Sequence, residues 1–145
     1  MSRSWLRQLM LKIVSQNRED QKTFSTIPQS YTRMMTLPHD RYIEADDSFD
    51  LTTIRYGIVF VSAVWSGASQ LSFRKLNQCL APYHSRDNVA VYIIDTESIT
   101  AERLFAQTSG PRGGYGETFF FRKGKPVAQF DPRNDEELRG CKHYP

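Results

Sequence analysis

Ile58-Val59-Phe60-Val61-Ser62-Ala63-Val64, followed at once by Trp65-Ser66-Gly67-Ala68-Ser69, decides how the rest of the chain is read. The first seven residues are almost unbroken in apolar character, which predicts a buried strand over Gly57 to Ala63. The five that follow open a helix, expected from about Ala68 to Ala81. Working outward, Val89-Ala90-Val91-Tyr92-Ile93-Ile94-Asp95 reads as a second core strand. Ile99-Thr100-Ala101-Glu102-Arg103-Leu104-Phe105-Ala106 reads as a helix with apolar positions three and four apart. A glycine-rich loop, Gly110 to Gly116, then leads into a hairpin with strands Thr118 to Arg122 and Pro126 to Phe130 around Lys123-Gly124-Lys125. Upstream, a short strand is expected near Arg41 to Glu44, with a helix begun by Asp46 or Asp47. The order is mixed α/β.

Trp65-Ser66-Gly67-Ala68-Ser69 resembles the thioredoxin active-site motif Trp-Cys-Gly-Pro-Cys with both cysteines replaced by serine. Gly114-Tyr115-Gly116-Glu117-Thr118 is similar to that family's Gly-Ile-Pro-Thr loop, and the order and spacing of the elements agree over roughly Arg41 to Phe130. The resemblance implies an α/β fold with a thioredoxin-like mixed sheet flanked by helices. Its core strands would be parallel and its final two antiparallel. The departures matter more than the matches. A dithiol works because a thiolate attacks a disulfide and a second thiol resolves the product; serine has no comparable exchange chemistry. Phe60 falls where the family carries a buried aspartate, and Val91 where it carries the neighbouring lysine. Gly116 replaces the cis-proline, which places the cis peptide itself in question. Five positions have lost their chemistry together, which argues against thiol redox.

The 145 residues are enough to bury a core without metal or disulfide support. No apolar run approaches the roughly 20 residues needed to span a bilayer. Cys79 and Cys141 are far apart and both read as reduced, the first as filler in the long helix and the second with a minority reading as a modifiable tail thiol. His39, His84 and His143 stand singly, without metal-ligand spacing. The loop from Gly110 to Gly116 precedes a strand, whereas a phosphate cradle precedes a helix. Ser66 or Ser69 as a nucleophile would need a histidine such as His84 brought close by the fold.

Charge divides the chain. Residues 1–41 carry seven Lys/Arg against three Asp/Glu, a net of +4, and residues 42–145 carry twelve against thirteen, a net of −1. A domain so near neutrality is a poor nucleic-acid binder, and Arg122, Lys123 and Lys125 read as a solvated hairpin tip. The organisation expected is an extension over 1–40 and a thioredoxin-like domain over 41–145. Trp5, Leu6, Leu9, Met10, Ile13 and Val14 recur at helical spacing. That stripe would pack on its own domain or a second copy through Trp5, Leu9 and Ile13, or else serve docking, a membrane surface or organelle targeting. Residues 17–40, with Pro28 and Pro38, read as a linker or a segment wrapping the domain. At the other end Asn134 caps a helix that Gly140 cuts short, leaving apolar surface beside the long helix for the extension or a partner to cover.

These features imply a redox-inactive protein-binding module, such as an accessory subunit, assembly factor or immunity-type inhibitor, acting through Trp65, Ser66, Gly67, Ala68, Ser69, Tyr115, Gly116 and Glu117. In the resembled fold these line a groove where a partner's extended backbone pairs with main-chain groups. No catalytic residue, cofactor, metal or nucleic-acid partner is expected, and a cytoplasmic location is, with an organelle as the alternative if the first helix is a targeting peptide. The competing reading is an enzyme using the fold without a dithiol, glutathione-linked or serine-dependent.

Overall fold

Five strands form one sheet: β1 (Tyr42–Glu44), β2 (Tyr56–Ser62), β3 (Val91–Asp95), β4 (Thr118–Arg122) and β5 (Lys125–Phe130), in the spatial order β1-β3-β2-β4-β5. The computed structural model describes residues 27–138. The apolar run is the middle strand. β3 pairs with it in parallel, Ile58 opposite Val91 and Ser62 opposite Asp95. β4 pairs with it antiparallel, Tyr56 opposite Arg122 and Phe60 opposite Thr118. With neighbours on both edges and helices over both faces, six of the seven residues of β2 are buried, which is why the sequence there is continuously rather than alternately apolar. The resemblance implied this arrangement, and the parallel core strands and antiparallel hairpin are as expected.

The sheet separates two cores. On one face Ile58, Phe60, Val91 and Ile93 meet Phe73, Leu76 and Leu80 of the long helix α2 (Gly67–Leu80). On the other, Val59, Val61, Ile94, Phe119 and Phe121 meet Ala101 and Leu104 of α3 (Ile99–Phe105). Phe60, in the place of the family's aspartate, is fully buried with its ring edge-on to Phe73 and to Tyr31.

Tyr31 belongs to α1 (Gln29–Met34), a helix in the segment expected as linker or wrap. Its ring stacks on Phe73 of α2 with centroids 4.5 Å apart. The terminal helix α4 is described over Asp135–Leu138, so the expected stop at Gly140 lies outside the described residues. The rest of the segment around α1 is tied down by hydrogen bonds. The Tyr42 hydroxyl accepts the Thr36 and Leu37 amides at 3.1 Å each and donates to Asn77 Oδ1, while Thr36 Oγ1 donates to the Asn77 carbonyl at 2.6 Å. Residues 27–40 are therefore packed onto the domain, with Tyr31 and Leu37 entering its core, and the expected helix bearing Trp5, Leu9 and Ile13 lies outside the described residues.

One predicted element is absent. The helix expected at Asp46 or Asp47 is replaced by turns: Asp46 Oδ1 accepts the Ser48 amide at 3.0 Å, and Asp50 caps a single 3-10 turn, Leu51–Thr53. Aspartate satisfies nearby amides in turns as readily as at helix caps. Thr52, Thr53 and Ile54 are β-branched, which lowers helix propensity and fits a single turn that goes no further.

Candidate functional site

At the C-terminal end of β2 the chain turns sharply, the Ser66 amide donating to the Ala63 carbonyl at 2.9 Å, and enters α2. Ser66 is the N-cap: its backbone is extended, and its hydroxyl oxygen accepts the Ser69 amide at 3.3 Å, satisfying one of the helix's orphan donors. Ser69 faces inward and is fully buried. Its Oγ shares a 2.7 Å hydrogen bond with the Tyr31 hydroxyl and accepts the Ala63 amide at 3.1 Å. Both motif serines thus hold the turn together. Trp65 does the opposite, standing 67% exposed beside Val64 at 48%.

The loop before β4 closes against this turn through two glycines. Gly114, at φ +69°, lies under the Trp65 ring, where an added Cβ would come within 2.8 Å of Cη2. Gly116, at φ +89°, is pressed inward, and a Cβ there would meet Ser72 Cβ at 2.7 Å and the Phe60 ring at 2.9 Å. The peptide preceding it is trans, as are all those described. Gly116 is therefore required by internal packing and by its left-handed backbone, which any larger side chain would strain.

Between them, Tyr115 has both main-chain groups engaged from within. Its amide donates to Glu117 Oε1 at 3.0 Å, and its carbonyl accepts the Ser72 hydroxyl. Backbone pairing with a partner, which the resemblance implied for this loop, is thus closed at Tyr115. Its half-buried ring is held by the Arg133 guanidinium, 4.8 Å from the centroid, and by Gln129 Nε2 donating to the hydroxyl at 3.1 Å.

Glu117 does not line a groove. It is fully buried, and Oε2 has no hydrogen-bond partner among the described residues. Burial pushes its carboxyl above the ordinary glutamate value, against the lowering effect of loop amides and of Arg112. The signal for this was strand parity. Glu117, Phe119 and Phe121 alternate onto one face, and both phenylalanines are core residues.

Of the eight residues predicted to meet a partner, Trp65, Ser66, Gly67, Ala68 and Tyr115 have some exposure, while Ser69, Gly116 and Glu117 are buried. Tyr31 and Ser72, which set the site's hydrogen bonding, were not anticipated. Tyr31 sits in a polar, proline-flanked run, and Ser72 carried no motif; only its place one turn beyond Ser69 on the inner face of α2 marked it. Neither described histidine reaches Ser66 or Ser69. His39 precedes β1 at the opposite end of the parallel strands, and His84 follows α2, about 21 Å of helix away. Among the described residues no group of three His, Cys, Asp or Glu is placed to hold a metal, and no helix is long and apolar enough to cross a membrane. Cys79 is half-buried on α2; Cys141 and His143 lie outside the described residues.

No family model matches the chain, and no curated protein does. Solved structures do. A candidate oxidoreductase with a thioredoxin fold matches 71% of this chain over 95% of its own, at 17% identity and a TM-score of 0.53. Plasmodium falciparum thioredoxin matches 72% over 98%, at 15% identity and 0.52. A chain from the complex of ferredoxin:thioredoxin reductase with thioredoxin f2 matches 70% over 92%, at 12% identity and 0.53. At these identities the likeness establishes the fold.

Proposed function

We propose that this chain, which has the thioredoxin fold, is a protein-binding module without thiol chemistry, docking a partner at the motif end as an accessory subunit, assembly factor or inhibitor of the immunity type. The observation that carries this reading is the fate of the motif side chains. Both hydroxyls are committed to structure, Ser66 as the helix cap and Ser69 between Tyr31 and the Ala63 amide, while the adjacent Trp65 is presented to solvent. A nucleophilic serine needs a base within hydrogen-bond reach, and the described histidines lie elsewhere, so serine-dependent catalysis has the weaker support. An exposed tryptophan beside Val64 is the kind of rigid aromatic anchor that dominates protein interfaces. The mode of docking differs from that implied by the fold: with Tyr115 internally bonded, side chains at Val64 and Trp65 carry the contact instead of main-chain pairing.

Insulin reduction in dithiothreitol tests the loss of redox function. The full chain should leave the uncatalysed rate unchanged, and turnover above it would overturn the reading. The docking surface is tested by recovering the host partner on wild-type chain and on Trp65→Ala. Loss of the partner from the variant is expected; equal recovery moves the interface to another face.

A further inference from the structure

At the other end of β2 the hairpin turn docks on the segment leading into the strand. Lys123 and Gly124, at φ +51° and +76°, make a tight two-residue turn between the paired Arg122 and Lys125. The Lys123 amide donates to the Arg55 carbonyl and the Gly124 amide to the Ile54 carbonyl, each at 2.7 Å, and Gly124 sits so close to Thr52 that a Cβ would lie 2.4 Å from its carbonyl oxygen. A cleft of about 610 Å³ opens there, lined by Thr52, Arg55, Tyr56, Arg122, Lys123 and Gly124. Three of its six lining residues are cations, and no acidic residue occurs in 51–57 or 118–130. None of the three forms an ion pair among the described residues. The nearest carboxylate in sequence, Asp50, is occupied by the Thr52 amide and hydroxyl.

Two local rules are broken here. Arg122 and Lys125 face each other as a like-charged cross-strand pair, which is unfavourable. Lys123 occupies a left-handed position that turns of this type give to Asn, Asp or Gly. Such violations concentrate at functional sites. We propose that this cleft binds a small phosphorylated organic anion, its phosphate held by Arg55, Arg122 and Lys123 and its body lying against Tyr56. Guanidinium groups match phosphate oxygens in pairs. The volume exceeds one phosphate and lies within the range of small-ligand sites. The near-neutral charge of residues 42–145 argues for a single small anion over a polymer backbone. The site is independent of the motif end.

The test is titration of the isotope-labelled full chain, followed by amide NMR, with pyrophosphate, adenosine monophosphate and citrate as probes. Saturable shifts at Thr52, Arg55, Lys123 and Gly124 are expected with both phosphate probes. Adenosine monophosphate alone should also move Tyr56, and citrate should bind more weakly. Arg122→Glu and Arg55→Glu should each weaken pyrophosphate binding by about tenfold or more, while Arg74→Glu, an equal charge change on the exposed face of α2, stays within about twofold. Absence of saturation with either phosphate probe, or equal losses in all three variants, would overturn the proposal.

Discussion

The two ends of β2 have been treated in opposite ways. At the motif end the Ser66, Ser69 and Ser72 hydroxyls are committed to internal hydrogen bonds, and an indole ring and a valine stand out to solvent. At the hairpin end Leu51 and Ile54 are buried, and Arg55, Arg122 and Lys123 meet solvent with no ion pair among the described residues. Both ends are closely packed, each closed by a glycine pressed against a neighbouring segment: Gly116 on Ser72 and Phe60, Gly124 on Thr52. The contrast teaches that close packing alone does not distinguish a working surface in this molecule. What differs is where the hydrogen-bonding capacity goes.

Gly116→Ala should break the motif end most severely. The methyl group has no space, and the backbone is left-handed, so a loss of about 3 kcal/mol is expected in guanidinium denaturation; a loss below about 1 kcal/mol would mean the loop is not held by that contact. Ser69→Ala comes next, at about 2 kcal/mol, because it strands both the Tyr31 hydroxyl and the Ala63 amide. A double-mutant cycle with Tyr31→Phe should recover part of that loss; strictly additive effects would deny that the two hydroxyls are coupled.

Glu117 sharpens the comparison through pH. Its folded value lies above the ordinary 4.5, so the native state holds the proton more tightly than the unfolded chain. Stability from this group is therefore fully present below about 4.5 and falls as pH rises through the folded value. Denaturation midpoints compared at about pH 4.5 and 7.5 should differ less in Glu117→Gln than in wild type; an unchanged difference would show that Glu117 is not the group responsible. The smallest effect belongs to the hairpin end, where Arg122→Glu turns a like-charged pair into an opposite one and should stabilise by about 0.5 kcal/mol. A clear destabilisation would mean that Arg122 is structurally engaged.

Much of the fold was legible because its strongest signals are local. The run from Ile58 to Val64 and the hairpin around Lys123-Gly124 need little beyond their own residues to specify strand and turn. Reading them against a known family then supplied the strand order. What stayed hidden depends on partners distant in sequence. The six residues of α1 have no periodic pattern and are held by Phe73 and Ser69, about forty positions away. The aspartates at 46, 47 and 50 offered cap chemistry without a helix to cap. At the site, Trp65 and the two serines were legible by type, but the direction each faces was not. Glu117 was assigned to a surface by motif position although the alternation of its own strand placed it inside.

Tyr31 beneath Ser69 also sets what could be built at this turn. Cysteines at both 66 and 69 would supply a dithiol spacing, yet the second sulfur would take the place of a hydroxyl bonded to Tyr31 and to the Ala63 amide, beside a core that holds Phe60 and Val91. Installing thiol exchange here would require the segment that carries Tyr31 to be rebuilt. The exposed indole next to it can be exchanged without touching those bonds.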